Sequence, residues 1–171
     1  LASGAIVFFI GFFGFGKIIF KEKEHIKYCS DLFAAAPCCI TIAHGFGRIG
    51  CLFAGCCYGK KMEGFPGLWM HTPDGTGYFL PTQLYEAIFL FILFVITSVL
   101  FFKEIDWTFV VYLVGYGIWR FCIEYLRIDD RGVLIPGLTP SQWLSIGLIS
   151  VGLVIAGVKI YKIIKAKKLN N

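Results

Sequence analysis

Apolar residues in this chain are gathered into blocks, each near the roughly 20 helical residues that a bilayer core requires. Five blocks can be drawn, over residues 1–20, 31–54, 87–103, 107–127 and 142–160. The second contains Pro37 and several glycines, so a kinked or partly re-entrant helix is expected there. The longest connection, 58–86, holds Gly64, Pro66, Gly67, Pro73, Gly75, Gly77 and Pro81. That content predicts irregular structure or a short hairpin, and connections this long are often functional. No repeat or Ser/Gly linker divides the chain. The pattern predicts an all-α, polytopic membrane helix bundle of about five spans, forming one domain over 1–171. An irregular loop region lies on one face, and a basic tail covers 161–171.

The fourth block, WTFVVYLVGYGIWRFCIEYLR, breaks the apolar rule. Arg120, Glu124 and Arg127 recur at i, i+4 and i+7, which predicts one polar helical face, and Tyr116 extends it by a turn. Charges inside a span are costly and by default face a cavity with a function. This stripe predicts a pocket for an anion.

Composition agrees with a membrane protein. Hydrophobic residues make up 57% and charged residues 16% of 171, with mean hydropathy +0.74; soluble domains carry about 25% charged residues. The chain opens directly in the apolar run Leu1 to Ile10 without Met. No basic stretch precedes that run and no small-residue cleavage site follows it, so a fragment is expected rather than a signal peptide. The net charge of +5 does not imply nucleic acid. Five lysines (Lys159, Lys162, Lys165, Lys167, Lys168) follow or close the last apolar block, the pattern of a cytoplasmic anchor on an anionic bilayer.

Basic residues also predict the orientation. With the C-terminus inside, that face holds Lys17, Lys21, Lys23, Lys27, Lys103 and the five tail lysines. The other face holds Arg48, Lys60, Lys61, Arg120, Arg127 and Arg131; ten and six together make the 16 in the chain. The positive-inside rule favours this assignment. At about 1.5 Å per residue, Arg48 lies roughly 25 Å and Arg120 roughly 20 Å from the inner face. Two spans thus carry cations at similar depth in the outer half, which predicts one shared anion pocket.

HGFGRIGCLFAGCCYGK, residues 44–60, is the densest motif. Gly47 and Gly50 flank Arg48 and let a helix or ligand approach the backbone. Arg48 has no acidic neighbour in sequence, and its planar fork of donors suits a phosphate. The bland reading is a snorkelling interfacial arginine. His44, Cys51, Cys56 and Cys57 are ligand types for zinc, but their spacing contains no C-x-x-C pair, so packing is expected for the thiols and no metal for the site. Cys38 and Cys39, in an apolar run, are expected to be core residues.

LPTQLYEAI, residues 80–88, places Gln83, Tyr85 and Glu86 at the entry of the third span. Pro81 and Glu86 also suit a helix N-terminus, although capping alone does not call for Gln83 and Tyr85 together. Beyond the fourth span, Asp129 and Asp130 read as solvated charges. Thr139 or Ser141 suits a cap for the last span, with Gln142 in its first turn. His25 and His71 read as loop residues.

Four of these segments resemble one family. GRIGCLFAGCCYG resembles the glycine-rich G-R-x-G-N-F-x-N-G-E-x-x-G signature of prolipoprotein diacylglyceryl transferases. PTQLYEA, YGIWRFCIEYLR and LTPSQWLSI are similar to that family's P-[ST]-Q-L-Y-E, Y-x-x-x-R-F-x-x-E-x-x-R and L-[ST]-x-x-Q-x-x-S elements. They occur in the family's order over residues 44–146. The resemblance implies a multi-pass enzyme of the bacterial plasma (inner) membrane. Such enzymes move the diacylglyceryl group of phosphatidylglycerol onto the lipobox cysteine thiol of a prolipoprotein signal peptide. A thioether forms and glycerol phosphate leaves, with no cofactor. By motif, Arg48 is expected to bind the lipid phosphate and Arg120 to act near the reacting ester. Tyr116, Glu124 and Arg127 complete the polar wall; Gln83, Tyr85, Glu86 and Gln142 are expected substrate contacts. The chain departs from the pattern at Cys51 and Cys56, where the family has Asn and Glu. Leu80 stands in place of a histidine, and Ser3-Gly4-Ala5 falls where an H-G-G element is expected; His44 and His71 are the replacement bases on offer. The chain is also expected to lack about two spans of a full member. A non-catalytic protein that binds or transports an anionic phospholipid through the same arginines is the rival reading, and a thiol–disulfide membrane protein is a third.

Overall fold

The computed structural model describes residues 24–127 and 137–169, with side chains from residue 34 to 168. The first predicted span (1–20), Ser3-Gly4-Ala5 and Asp129 to Arg131 lie outside the described residues. The chain divides into two compact units, Leu1–Ala34 and Ala35–Asn171. The second unit contains the sheet and the greater part of the helices.

The elements in order are α1 (Glu24–Phe53), β1 (Leu68–Thr72), β2 (Gly75–Phe79), α2 (Thr82–Phe102), α3 (Thr108–Ile123) and α4 (Pro140–Leu169). A short 3-10 turn, Glu124–Leu126, extends α3. Four segments among the described residues are long and apolar enough to cross a membrane: Ala34–Phe53, Thr82–Phe102, Thr108–Leu126 and Pro140–Lys168. The fold is therefore that of a helical membrane protein with one small sheet. Many large apolar side chains stay exposed along the helices, including Ile92, Val95, Val154 and Ile163. In a bilayer such faces meet acyl chains rather than water.

α1 runs unbroken through Pro37, and Thr41 Oγ1 donates to the Pro37 carbonyl at 2.8 Å. α2 begins earlier than the apolar pattern suggests, because Pro81 serves as its N-cap residue and Thr82 and Gln83 form its first turn. Glu86 therefore sits in the second turn, facing inward, and not at the dipole-exposed start. α3 packs most closely on α4. Small residues permit this: a Cβ at Gly117 would lie 2.7 Å from Ile149, and one at Gly152 would lie 2.7 Å from Val114. α4 stays helical to Leu169, through the basic residues that follow Lys159. At the α2–α3 turn, Lys159 Nζ pairs with Asp106 Oδ2 at 2.7 Å.

The 58–86 connection is organised by a hairpin. β1 and β2 pair antiparallel, with Met70 opposite Gly77. Residues 59–62 run beside β2: Met62 N–H donates to the Tyr78 carbonyl and Leu80 N–H to the Lys60 carbonyl. Tyr58, Met70 and Phe79 form its small core, closed by a 2.5 Å hydrogen bond from Tyr58 to Asp74. Phe65, Trp69 and Tyr78 remain exposed.

Candidate functional site

Four helix ends meet on the hairpin side: the C-terminal ends of α1 and α3 and the N-terminal ends of α2 and α4. The polar residues of the spans converge there. Glu86, only 1% exposed, is the hub. Its Oε1 lies 3.0 Å from Arg48 Nη2 and accepts a 3.2 Å hydrogen bond from Tyr116. His44 Nε2 is 3.9 Å from the same oxygen, and its ring meets Tyr116 edge-on at 5.3 Å. Arg48 is thus paired with a carboxylate that lies 38 positions away in the chain. It does not snorkel. One α-helical turn after Tyr116, Arg120 Nη2 contacts Glu124 Oε2 at 3.0 Å and donates to Ser141 Oγ at 2.9 Å. Glu124 Oε1 accepts from Thr139 Oγ1 at 3.0 Å. Arg48 and Arg120 both act electrostatically on His44 and on Tyr116. The two arginines therefore act on the same two side chains.

Several expected site residues take other positions. The stripe does not continue to Arg127, because α3 ends at Ile123 and Arg127 is extended (φ −90°, ψ 152°). Arg127 instead bridges Gly59 in the glycine-rich loop and hydrogen-bonds Cys57. Gln83 is turned to the same loop: its Nε2 donates to the Cys56 carbonyl at 2.7 Å, beside a 2.8 Å bond from Thr82 Oγ1 to the Cys57 carbonyl. Gln142 belongs to a capping box. Its N–H meets Thr139 Oγ1 at 3.3 Å and its Oε1 accepts from Thr139 N–H at 3.0 Å, with Pro140 at the first helical position. Tyr85 is half-buried, and its hydroxyl makes no hydrogen bond among the described residues. A Cβ added at Gly47 or Gly50 would meet no described atom within 4 Å, so neither glycine marks a helix contact there.

Thr139 and Ser141 are site residues that sequence reasoning read only as caps. The T-P-S-Q pattern announced the cap, and the helix it starts carries both hydroxyls onto Arg120 and Glu124.

Cys51, Cys56 and Cys57 have their sulfur atoms within 4.8 Å of one another. Burial and the two neighbouring thiols push Cys56 up to about 11. Burial also opposes ionisation of Cys57, but the hydrogen bond and charge of Arg127, a hydrogen bond from Cys56 and the charge of Arg48 outweigh it. The Cys57 thiol ends below the ordinary value.

Within the described residues, guanidinium donors of the polar region are among the buried atoms without a partner. Arg48 Nε and Arg120 Nη1 are buried and have no hydrogen-bond partner among the described residues. Buried donors of this kind call for an explanation, since nearly all such groups in folded proteins are satisfied.

Comparison with known proteins agrees with the motif resemblance. Residues 4–158 match the family model described as prolipoprotein diacylglyceryl transferase. The chain is 35% identical over 163 residues to phosphatidylglycerol–prolipoprotein diacylglyceryl transferase 2 of Clostridium perfringens, covering 92% of this chain and 60% of that protein. It is 36% identical to the Clostridium tetani transferase over 67% of this chain and 47% of the relative. It is 32% identical to that of Dehalococcoides mccartyi over 82% and 54%. The chain therefore spans between about half and three fifths of the length of these relatives. No solved structure gives a significant match. By a family match over residues 4–158 and relatives at this identity, the chain belongs to the prolipoprotein diacylglyceryl transferase family.

Proposed function

We propose that this protein transfers the diacylglyceryl group of phosphatidylglycerol to the lipobox cysteine thiol of a prolipoprotein signal peptide. The sulfur forms a bond to the glyceryl carbon as the carbon–oxygen bond to phosphate breaks, and glycerol phosphate leaves. The observation that carries this reading is the pair of buried, unpartnered donors, Arg48 Nε and Arg120 Nη1, in one polar region of a membrane-spanning bundle. A phosphate whose negative charge grows as the bond breaks is stabilised by donors already fixed in place. Glu86 and Glu124 hold the two guanidinium groups, and Tyr116 and Ser141 hold their orientation. No cofactor enters this scheme.

The acceptor thiol must lose a proton. His44 is the candidate to take it, because it lies in the same polar region, edge-on to Tyr116 and with its Nε2 3.9 Å from Glu86. His71 is a weaker choice: it is an exposed hairpin residue whose Nδ1 faces Thr76 at 3.4 Å. Arg127, which bridges Gly59 of the glycine-rich loop, is close enough to Arg48 to act on it electrostatically and brings a third guanidinium near the region. The lysine-rich end of α4 supports a cytoplasmic C-terminus in the bacterial inner membrane, with the site in the outer half.

The experiment is transfer of a labelled diacylglyceryl group from phosphatidylglycerol to a lipobox peptide in proteoliposomes. Label on the peptide with release of glycerol phosphate is the expected result. Saturable binding of phosphatidylglycerol without turnover would replace this reading with that of a non-catalytic phospholipid-binding protein.

A further inference from the structure

Three sulfur atoms meet at a point that the transfer chemistry does not use. Cys51 lies in the last turn of α1, and Cys56 and Cys57 lie in the loop that follows. All three Sγ atoms are within 4.8 Å of one another and none is in a disulfide. Zinc bound to thiolates at about 2.3 Å in a tetrahedron sets sulfurs about 3.8 Å apart. The cluster therefore needs to contract by at most about 1 Å to enclose the ion.

The loop holds this arrangement against local cost. Cys57 has φ +64°, a left-handed conformation that a residue with a Cβ rarely adopts. Gly55 is at φ +62°, and a Cβ there would fall 1.9 Å from the His71 carbonyl. Thr82 and Gln83, at the start of α2, fasten the carbonyls of Cys57 and Cys56. Strain kept in place by surrounding contacts points to a role for the loop. A disulfide would use two of the sulfurs and leave the third without purpose. A metal uses all three.

Three thiolates leave a net negative charge on Zn2+, and both Arg127, hydrogen-bonded to Cys57, and Arg48 place positive charge beside the sulfurs. The tetrahedral preference of zinc and its affinity for thiolates suit three sulfurs with one open position.

We propose that Cys51, Cys56 and Cys57 bind Zn2+ through their three sulfurs, with the fourth position taken by water or another exogenous donor. The ion would tie the end of α1 to the loop framed by α2 and Arg127, one turn beyond Arg48. The spacing C-x4-C-C hides such a site from a search for C-x-x-C pairs, because two ligands are adjacent and the strained loop turns them together.

The test uses the purified protein in detergent, reduced and stripped by a chelator, then titrated with Co2+ and afterwards with Zn2+. A sulfur-to-cobalt charge-transfer band with tetrahedral ligand-field bands, displaced by one Zn2+ per chain, is the expected result. Cys51→Ser, Cys56→Ser and Cys57→Ser should each weaken zinc by more than the roughly 10–100-fold that loss of an outer partner brings. Cys38→Ala and Cys122→Ala should leave it unchanged. A cobalt spectrum without sulfur bands overturns the proposal, as does a stoichiometry of one that survives in the triple serine variant. Disulfide formation with no metal uptake by the reduced protein overturns it too. The cobalt spectrum needs no variant, so a serine variant that fails to fold leaves the test standing. Metal uptake is read without lipid or peptide, so its outcome is separate from that of the transfer assay.

Discussion

Removing one side of the Arg48–Glu86 pair probes the polar region most directly. Glu86 is 1% exposed and Arg48's side chain 15%, with 3.0 Å between Nη2 and Oε1. Glu86→Ala leaves the Arg48 charge buried with no carboxylate, and Arg48→Ala does the reverse. Breaking a buried pair from one side costs about 3–5 kcal/mol, because the orphaned charge remains. Glu86→Ala also removes the acceptor for the Tyr116 hydroxyl, so it should lie at the upper end of that range. The double variant orphans neither charge. It should therefore cost less than the sum of the two single changes, with a coupling energy of about 2–3 kcal/mol. The assay is denaturant unfolding of all four proteins at one detergent concentration. Tyr116→Phe serves as a reference that removes only the hydroxyl. If the two single effects add to within about 0.5 kcal/mol, the groups do not share a buried ion pair and the hub at Glu86 is refuted.

Other outcomes rest on the same contacts. Arg120→Ala should lower transfer by at least about 10²–10³-fold, with partial recovery in Arg120→Lys, which lacks the planar fork; Arg131→Ala should transfer normally in the same labelled-lipid assay. Thr139→Ala should destabilise by about 1 kcal/mol through loss of the α4 cap, and by more than Ser141→Ala in the same unfolding experiment, because Thr139 also contacts Glu124. In the metal-free protein, iodoacetamide should alkylate Cys57 at lower pH than Cys56, since the thiolate reacts and Cys57 is depressed while Cys56 is raised to about 11. Arg127→Ala should move the Cys57 profile to higher pH, read by peptide mass mapping.

Block hydrophobicity was enough to locate the described spans, because a bilayer imposes length and apolarity on each helix separately. Their ends were less legible. Pro81 starts α2 several residues before its apolar block, and this turns Glu86 from a dipole-facing residue into a buried one. Periodicity placed Tyr116, Arg120 and Glu124 on one face, and the Arg120–Glu124 contact has that i, i+4 geometry. The same periodicity failed at Arg127, where a 3-10 turn and an extended residue end the helix. Partner identity was the least legible feature. Arg48 finds Glu86 only when α1 lies beside α2, and no local pattern encodes that neighbour. Gln83 and Gln142 look alike in sequence as polar residues at helix entries, yet one fastens the cysteine loop and the other closes a capping box.

The pairing of both arginines with carboxylates bears on how an anion would enter. A lone guanidinium inside a span is costly, so Glu86 and Glu124 make the region tolerable without a ligand. If a phosphate had to displace those carboxylates, binding would lose one strong contact for each gained. The arrangement avoids this exchange. Arg48 gives Nη2 to Glu86 and keeps Nε, while Arg120 gives Nη2 to Ser141 and Glu124 and keeps Nη1. Each planar fork can serve its carboxylate along one edge and a phosphate oxygen along another, which a lysine ammonium cannot do with fixed directions. In the proposed reaction the leaving phosphate would become more negative as the carbon–oxygen bond breaks, and donors already fixed in place would strengthen without moving. The carboxylates thus serve the proposed reaction by holding the arginines still, and their loss should be felt in the rate even where lipid binding survives.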